Sequence, residues 1–241
     1  MSAPSPQVYL LDVEGTVAPI SFVYEQLFPY SRAHFREFLR RNLPDNGVRW
    51  DLVHLAEERR LEIDASAPPC LGDGAESLAY LFWLMDHDRK STALKSLQGK
   101  IWKSGFESGE LKGTLFADVP DALRRWSSKG KVAIYSSGSV EAQRLVFRYS
   151  TFGDLTGLIT AYFDTRTGPK QASGSYAAIA EAMKVDPSEI LFFSDVVREL
   201  DAARESGCQT RLVVREGNAP VDDAHGHRVV DTFVQEPQLP F

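Results

Sequence analysis

The feature that most constrains this chain is an apolar run that ends in two carboxylates. Residues 8–11, Val-Tyr-Leu-Leu, are followed by residues 12–16, Asp-Val-Glu-Gly-Thr. Such a run is typical of a buried strand, and acids two residues apart on extended chain point to the same side. Ligands of open α/β sheets bind beyond the carboxyl ends of strands. Asp12 could then be a nucleophile and Glu14 a proton donor, with a capped turn after an ordinary strand as the competing interpretation.

Three later segments weaken that competing interpretation. A second apolar run, 131–135, leads into Ser136, and a third, 189–193, leads through a serine into Asp195. Between them, Lys170 lies just before a predicted helix. The order is an acid pair, a strand with serine, a lysine and a strand with aspartate. In this order and spacing the sequence resembles the four motifs of the haloacid dehalogenase-like superfamily, whose members are mostly magnesium-dependent phosphatases.

The resemblance extends to one family, the enolase-phosphatases (acireductone synthases) of methionine salvage. Glutamate at position 14 is unusual for the superfamily and fits this family. Ser194 stands where the family pattern has threonine, but this difference removes no reacting group. The resemblance covers nearly the whole chain, and the matching segments include 10–16, 97–99, 116–119, 135–143, 162–165 and 213–218.

Composition sets the size of the fold and disfavours some partners. The chain has 241 residues, 43% of them apolar, and a net charge of -6. That is enough for a core domain with an insertion, and an acidic protein is a poor partner for nucleic acid. Two cysteines without ligand spacing fit a reducing compartment, and no signal peptide or membrane-length apolar run is visible. We therefore expect a cytoplasmic protein that binds neither nucleic acid nor membrane. We also expect a monomer, although composition does not determine the oligomeric state.

Strand and helix patterns alternate from residue 116 onward. This alternation predicts an α/β fold, a Rossmann-like doubly wound parallel sheet covered on both faces. The preceding hundred residues have helical periodicity, broken by turn signals such as 43–47 and 67–69. We expect a phosphatase core domain formed by residues 1–16 and 116–241, with an inserted all-helical cap domain at 17–115.

The residue types and the resemblance together imply specific roles. Asp12 would form an aspartyl-phosphate, Glu14 would act as acid and then base, and Lys170 would stabilise the transferring phosphoryl group. A lysine at a helix start is not expected in a core. One Mg²⁺ per chain would be bound by Asp12, the backbone carbonyl of Glu14 and Asp195. The expected substrate-binding residues are Ser136, Ser137, Gly138 and Lys170, with Gln98 and Gly99 from the cap.

The resemblance also implies a bifunctional reaction. The family enolises 2,3-diketo-5-methylthiopentyl 1-phosphate and then dephosphorylates it to the acireductone 1,2-dihydroxy-3-keto-5-methylthiopentene. The motifs do not identify the enolisation base. Two alternatives stay open here. A general sugar or glycolate phosphatase would share the core residues and differ in the cap. A phospho-receiver domain also uses Asp, Ser or Thr, and Lys, although the second acid, Glu14, and the length of the chain argue against it.

Overall fold

A computed structural model describes residues 4–74, 76–222 and 225–234. The chain divides into two compact units, Met1–Val23 with Lys112–Phe241 (the sheet unit) and Tyr24–Leu111 (the helical unit). The expected functional domains, with boundaries after residues 16 and 115, stay a prediction. The ends of the predicted core domain, 1–3 and 235–241, lie outside the described residues.

Among the described residues, the sheet unit contains a parallel sheet of six strands: β1 (Val8–Leu11), β2 (Lys131–Tyr135), β3 (Ala161–Phe163), β4 (Ile190–Ser194), β5 (Gln209–Val213) and β6 (Arg228–Val230). Their order in the sheet is β3-β2-β1-β4-β5-β6. Leu11 pairs with Ile134 and with Phe193, so β1, β2 and β4 end at the same edge. The order reverses between β1 and β4, which is where open α/β sheets bind ligands.

Capping side chains set the start of two α-helices in the helical unit. Asp45 accepts a hydrogen bond from Val48 N–H at 2.9 Å, and Ser91 accepts one from Leu94 N–H at 2.9 Å. The apolar helix faces meet in one core, which includes Phe35, Leu55, Leu81 and Leu97. The predicted all-helical insertion is confirmed. Its described α-helices are α1 (Phe28–Asn42), α2 (Asn46–Leu61), α3 (Ser77–Asp86) and α4 (Thr92–Ser108).

Helices cover both faces of the sheet because its central strands are apolar on both sides. On one face Leu10 packs in a cluster with Tyr176. On the other face Tyr9 and Phe193 stack on Trp126, with ring centroids 5.3 and 5.1 Å apart. The predicted doubly wound α/β fold is therefore confirmed. The helices of this unit are α5 (Val119–Ser127), α6 (Val140–Arg148), α7 (Ser173–Met183) and α8 (Val197–Glu205).

Across the part of the chain that the structure describes, no helix combines the length and the apolar character needed to cross a bilayer.

Candidate active site

Asp12 and Lys170 form a buried ion pair at the edge where β1 ends. Asp12 directly follows β1, and its N–H donates to the carbonyl of Phe193 at 3.0 Å. The Lys170 Nζ lies 2.6 Å from Asp12 Oδ1 and 2.6 Å from Glu199 Oε2. Burial acts to lower the pKa of Lys170, but the charges of Asp12 and Glu199 outweigh it and raise that pKa. The expectation that this lysine lies outside the core was wrong, since only 9% of it is exposed.

Three hydroxyl groups hold the backbone that carries Lys170. Each donates to one of three consecutive carbonyls, so the loop before α7 is fixed on its inner side. Gly168 has φ +148°, and a Cβ there would collide with the Ser175 hydroxyl, so this position requires glycine. The hydrogen bonds are Tyr135 Oη to Gly168 O (2.8 Å), Ser175 Oγ to Pro169 O (2.8 Å) and Tyr176 Oη to Lys170 O (2.7 Å).

Glu199 is a site residue that the sequence did not reveal. It lies on α8, it is buried, and its Oε2 accepts a hydrogen bond from Ser194 Oγ at 3.0 Å. Burial, with the charge of Asp12 acting in the same direction, raises the pKa of Glu199 to about 7. The Ser194 hydroxyl, present where threonine was expected, therefore has a defined partner. No pattern in the sequence separates Glu199 from the other acids of α8, Asp201 and Glu205.

Asp195 directly follows β4 and lies against the turn after β1. Gly15 has φ +68°, and a Cβ there would collide with the Asp195 carboxylate, so only glycine permits this close approach. Burial raises the pKa of Asp195 to about 7, and the charge of Asp12 also raises it. Buried carboxylates that disfavour each other's ionisation are suited to a cation.

The residues at this edge fit Mg²⁺ by the chemistry of their donor atoms. Within residues 4–74, 76–222 and 225–234, no three His, Cys, Asp or Glu side chains form a metal-binding group. The described residues therefore do not surround a metal ion with side-chain ligands alone. The residues predicted to bind Mg²⁺, which are Asp12, Asp195 and Glu14 through its carbonyl, would instead supply two carboxylates and one backbone oxygen. Mg²⁺ is typically held by one or two carboxylates and keeps several waters.

Ser136 follows β2 at the same edge and begins a turn into α6. Its Oγ accepts a hydrogen bond from Gly138 N–H at 3.2 Å, so its own proton is available to an acceptor. Ser139 caps α6 by accepting from Ala142 N–H at 3.2 Å. A hydroxyl beside a helix N-terminus suits an anion. Ser137 and Gly138 lie in this turn, and their contact with a phosphate group stays a prediction.

Gln98 and Gly99 lie on α4 in the helical unit. Gln98 is buried, and its Nε2 lies 3.5 Å from Ser31 Oγ. A Cβ on Gly99 would meet no atom within 4 Å. Their predicted role in substrate binding stays a prediction.

Known proteins match this chain over most of its length. The profile of the haloacid dehalogenase-like hydrolase family matches residues 6–207. The enolase-phosphatase E1 of Synechococcus elongatus is 51% identical over 215 residues, 88% of this chain and 90% of that protein.

Two further relatives extend the comparison. The crystal structure of the UTR4 protein of Saccharomyces cerevisiae aligns with a TM-score of 0.78 and 38% identity, covering 95% of this chain and 99% of the yeast chain. A Sorghum bicolor protein is 42% identical and is matched over 96% of this chain and 47% of its own length. It is described as a probable bifunctional methylthioribulose-1-phosphate dehydratase/enolase-phosphatase E1.

Proposed function

Because the chain belongs to the enolase-phosphatase E1 family of the haloacid dehalogenase-like hydrolases, we propose that it is a bifunctional enolase-phosphatase of methionine salvage. Its substrate is 2,3-diketo-5-methylthiopentyl 1-phosphate, which it enolises and then dephosphorylates. The plant relative supports this substrate, since its name includes a dehydratase for methylthioribulose 1-phosphate. Loss of water from that sugar phosphate gives the diketone phosphate.

The observation that carries the phosphatase reaction is the buried pair of Asp12 with Lys170, at 2.6 Å. An Asp12 oxygen attacks phosphorus and forms an aspartyl-phosphate, while the bond from phosphorus to the C1 oxygen of the substrate breaks. Glu14 donates a proton to that leaving oxygen. Glu14 then takes a proton from water, the water oxygen attacks phosphorus, and phosphate leaves as Asp12 is regenerated. Lys170 stabilises the charge on the phosphoryl group in both steps.

One Mg²⁺ per chain would be held by Asp12, Asp195 and the Glu14 carbonyl. When bound there, it offsets repulsion between the carboxylates and the anionic substrate and polarises substrate oxygens. Ser136, Ser137 and Gly138 bind the phosphate group, and Gln98 with Gly99 contacts the rest of the substrate. In the enolisation, Glu14 or a residue of the helical unit moves the proton.

The proposal is tested by timing two signals from one reaction mixture. The diketone phosphate is followed by ultraviolet absorbance while free phosphate is assayed in the same samples. We expect the enol to form before phosphate appears. Release of phosphate from sugar phosphates or glycolate phosphate as efficiently as from the diketone, with no enol signal, would favour a general phosphatase instead.

We also propose that the protein acts as a monomer in the cytoplasm. Cys70 and Cys208 are both buried and free, which is the usual state of cysteines in a reducing compartment. Light scattering of the purified protein measures the oligomeric state directly.

A further inference from the structure

Two carboxamide side chains of the sheet unit make the same pair of hydrogen bonds on opposite sides of the site. Each NH₂ group donates to two backbone carbonyls. One carbonyl belongs to a site loop, and the other belongs to the last residue of a further strand, β3 or β5. The bonds are Gln143 Nε2 to Gly138 O (2.7 Å) and Phe163 O (2.9 Å), and Asn218 Nδ2 to Gly15 O (2.9 Å) and Val213 O (3.3 Å).

In both side chains the NH₂ group makes the hydrogen bonds, and the carboxamide oxygen makes none with the described residues. Gln143 Oε1 and Asn218 Oδ1 are buried and have no hydrogen-bond partner among the described residues. A buried acceptor without a partner is unfavourable, and an apolar side chain of similar shape would avoid that loss. The two carboxamides are therefore most simply explained by the carbonyls that their NH₂ groups hold.

Gln143 fixes the loop between β2 and α6. Its bond to Gly138 O orients the peptide that joins Gly138 to Ser139, the residue that caps the N-terminus of α6. Ser136 Oγ accepts from Gly138 N–H, so the serine and the glycine move together. The second bond, to Phe163 O, ties this loop to the end of β3.

Asn218 fixes the loop after β1. The N–H of Gly15 donates to Ala18 O at 2.8 Å, and the planar peptide then sets the direction of the Glu14 carbonyl. The carbonyl of Gly15 is held by Asn218, so the peptides on both sides of Gly15 are fixed. Asn218 is itself anchored, because its N–H donates to Arg215 O at 3.1 Å.

We propose that Gln143 and Asn218 are positioning residues with separate tasks. Gln143 sets the geometry of the phosphate loop, and Asn218 sets the geometry of the loop that carries Glu14 and its metal-facing carbonyl. The assignment of these loops to phosphate and Mg²⁺ rests on the proposed function. The two tasks are separate because the hydrogen bonds of Gln143 and Asn218 hold different loops.

The experiment uses near-isosteric variants that remove the donors, Gln143→Met and Asn218→Leu. Gln209→Met is a matched control, because Gln209 Nε2 donates to Pro4 O at 2.8 Å and Ser188 O at 2.7 Å near the opposite end of the sheet. Calorimetry measures Kd for Mg²⁺, and Kd for inorganic phosphate at saturating Mg²⁺. Thermal unfolding is recorded for every variant.

We expect Gln143→Met to raise the Kd of phosphate about tenfold and to leave the Kd of Mg²⁺ within about twofold. Asn218→Leu should raise the Kd of Mg²⁺ about tenfold, the lower end of what is expected when a residue that orients a metal ligand is replaced. Its phosphate Kd at saturating Mg²⁺ should change less. Gln209→Met should change neither constant.

Equal changes in both constants for both variants, or changes no larger than those of Gln209→Met, would overturn the proposal. If either variant fails to fold, Gln143→Ala and Asn218→Ala remove the same donors without added bulk, and the same criteria apply to them. A parent protein that binds neither ligand would overturn the proposed function together with this inference. A parent that binds both, with variants that do not separate, would overturn this inference alone.

Discussion

Two buried ion clusters in the sheet unit differ in their balance of charge. In the Asp118 cluster (Asp118, Arg215, Thr232 and Phe233) one carboxylate faces one guanidinium. Asp118 accepts from the two Arg215 Nη atoms at 3.0 and 3.1 Å, from Thr232 Oγ1 at 3.0 Å and from Phe233 N–H at 2.6 Å. Burial acts to raise the pKa of Asp118, but the Phe233 amide and Arg215 outweigh it and hold that pKa below its usual range.

In the Lys170 cluster (Lys170, Asp12 and Glu199) one ammonium faces two carboxylates. Asp195 adds a third negative charge nearby, and burial with the charge of Asp12 raises the pKa values of Glu199 and Asp195 to about 7. The side chains of Asp118 and Glu199 are equally exposed, 11% each, yet their pKa values shift in opposite directions. A pair of balanced charge is a structural element, whereas an excess of buried negative charge marks a place that binds cations and transfers protons.

Replacing Asp12 should have the largest effect on turnover. In Asp12→Asn the amide is a poor nucleophile and a weak metal ligand, so we expect phosphate release to fall by at least about 10⁴-fold. Phosphate release from the diketone phosphate is the measurement. Asp121→Asn, on the exposed side of α5, is the control. Appreciable turnover by a homogeneous Asp12→Asn preparation would remove Asp12 from the role of nucleophile.

Lys170→Met tests the difference between the Lys170 cluster and the Asp118 cluster, because it removes the ammonium and keeps much of the side-chain volume. Turnover should fall about a hundredfold or more, since the phosphoryl group loses its cation. The Tm without Mg²⁺ should also fall, because Asp12 and Glu199 then face each other uncompensated. Kinetics and thermal unfolding check the two effects, with exposed Lys129→Met as the control. Parent-like kinetics would make Lys170 a structural residue comparable to Arg215.

Glu199→Gln should have a smaller effect on turnover, about tenfold, as expected for a residue that orients a catalytic group. The amide keeps the shape of the side chain but removes one of the two charges that position Lys170. The kcat and its pH profile are the measurements. Glu205→Gln, on the exposed end of α8, should behave as the parent. A loss as large as that of Lys170→Met would show that Glu199 itself contacts the reacting groups.

Asp118→Asn should leave turnover per folded molecule nearly unchanged while lowering stability by about 3 kcal/mol at pH 7, because Arg215 loses its buried partner. The folded-state pKa of Asp118 is lowered, so its contribution is complete above the unfolded pKa and is lost as pH falls through the folded pKa. The stability difference between parent and variant should therefore shrink below about pH 4. Urea unfolding at pH 7 and pH 3 measures this. A difference that is constant with pH would refute the assigned charge interaction.

The sheet edge could be predicted from the sequence because Asp12 and Ser136 directly follow apolar runs and Asp195 follows one after a single serine. In a parallel sheet, runs of this kind end together, and the register of β1 with β2 and β4 brings Asp12, Ser136 and Asp195 to one edge. The family resemblance supplied the order of the motifs and the identity of the reaction. Local chemistry and strand direction were sufficient for these features.

Features that depend on tertiary packing could not be read from the sequence. Glu199 is one of several acids on α8, and only the side that α8 turns toward β4 distinguishes it from exposed Glu205. The burial of Lys170 depends on hydroxyl groups from β2 and α7. The strand Arg228–Val230 was not predicted, because three residues give too little periodicity.

The position of β1 in the sheet has a consequence for biosynthesis. This strand is synthesised before the other strands of the sheet, yet it occupies the centre of the sheet, and Asp12 lies 182 positions before its contact Ser194. The helical unit is synthesised in the interval, and β1 has no neighbouring strand until β2 and β4 follow. Assembly of the site around Asp12 therefore comes late in translation, and an apolar strand must remain unpaired until then. Partly synthesised chains should depend on chaperones more than their finished fold suggests.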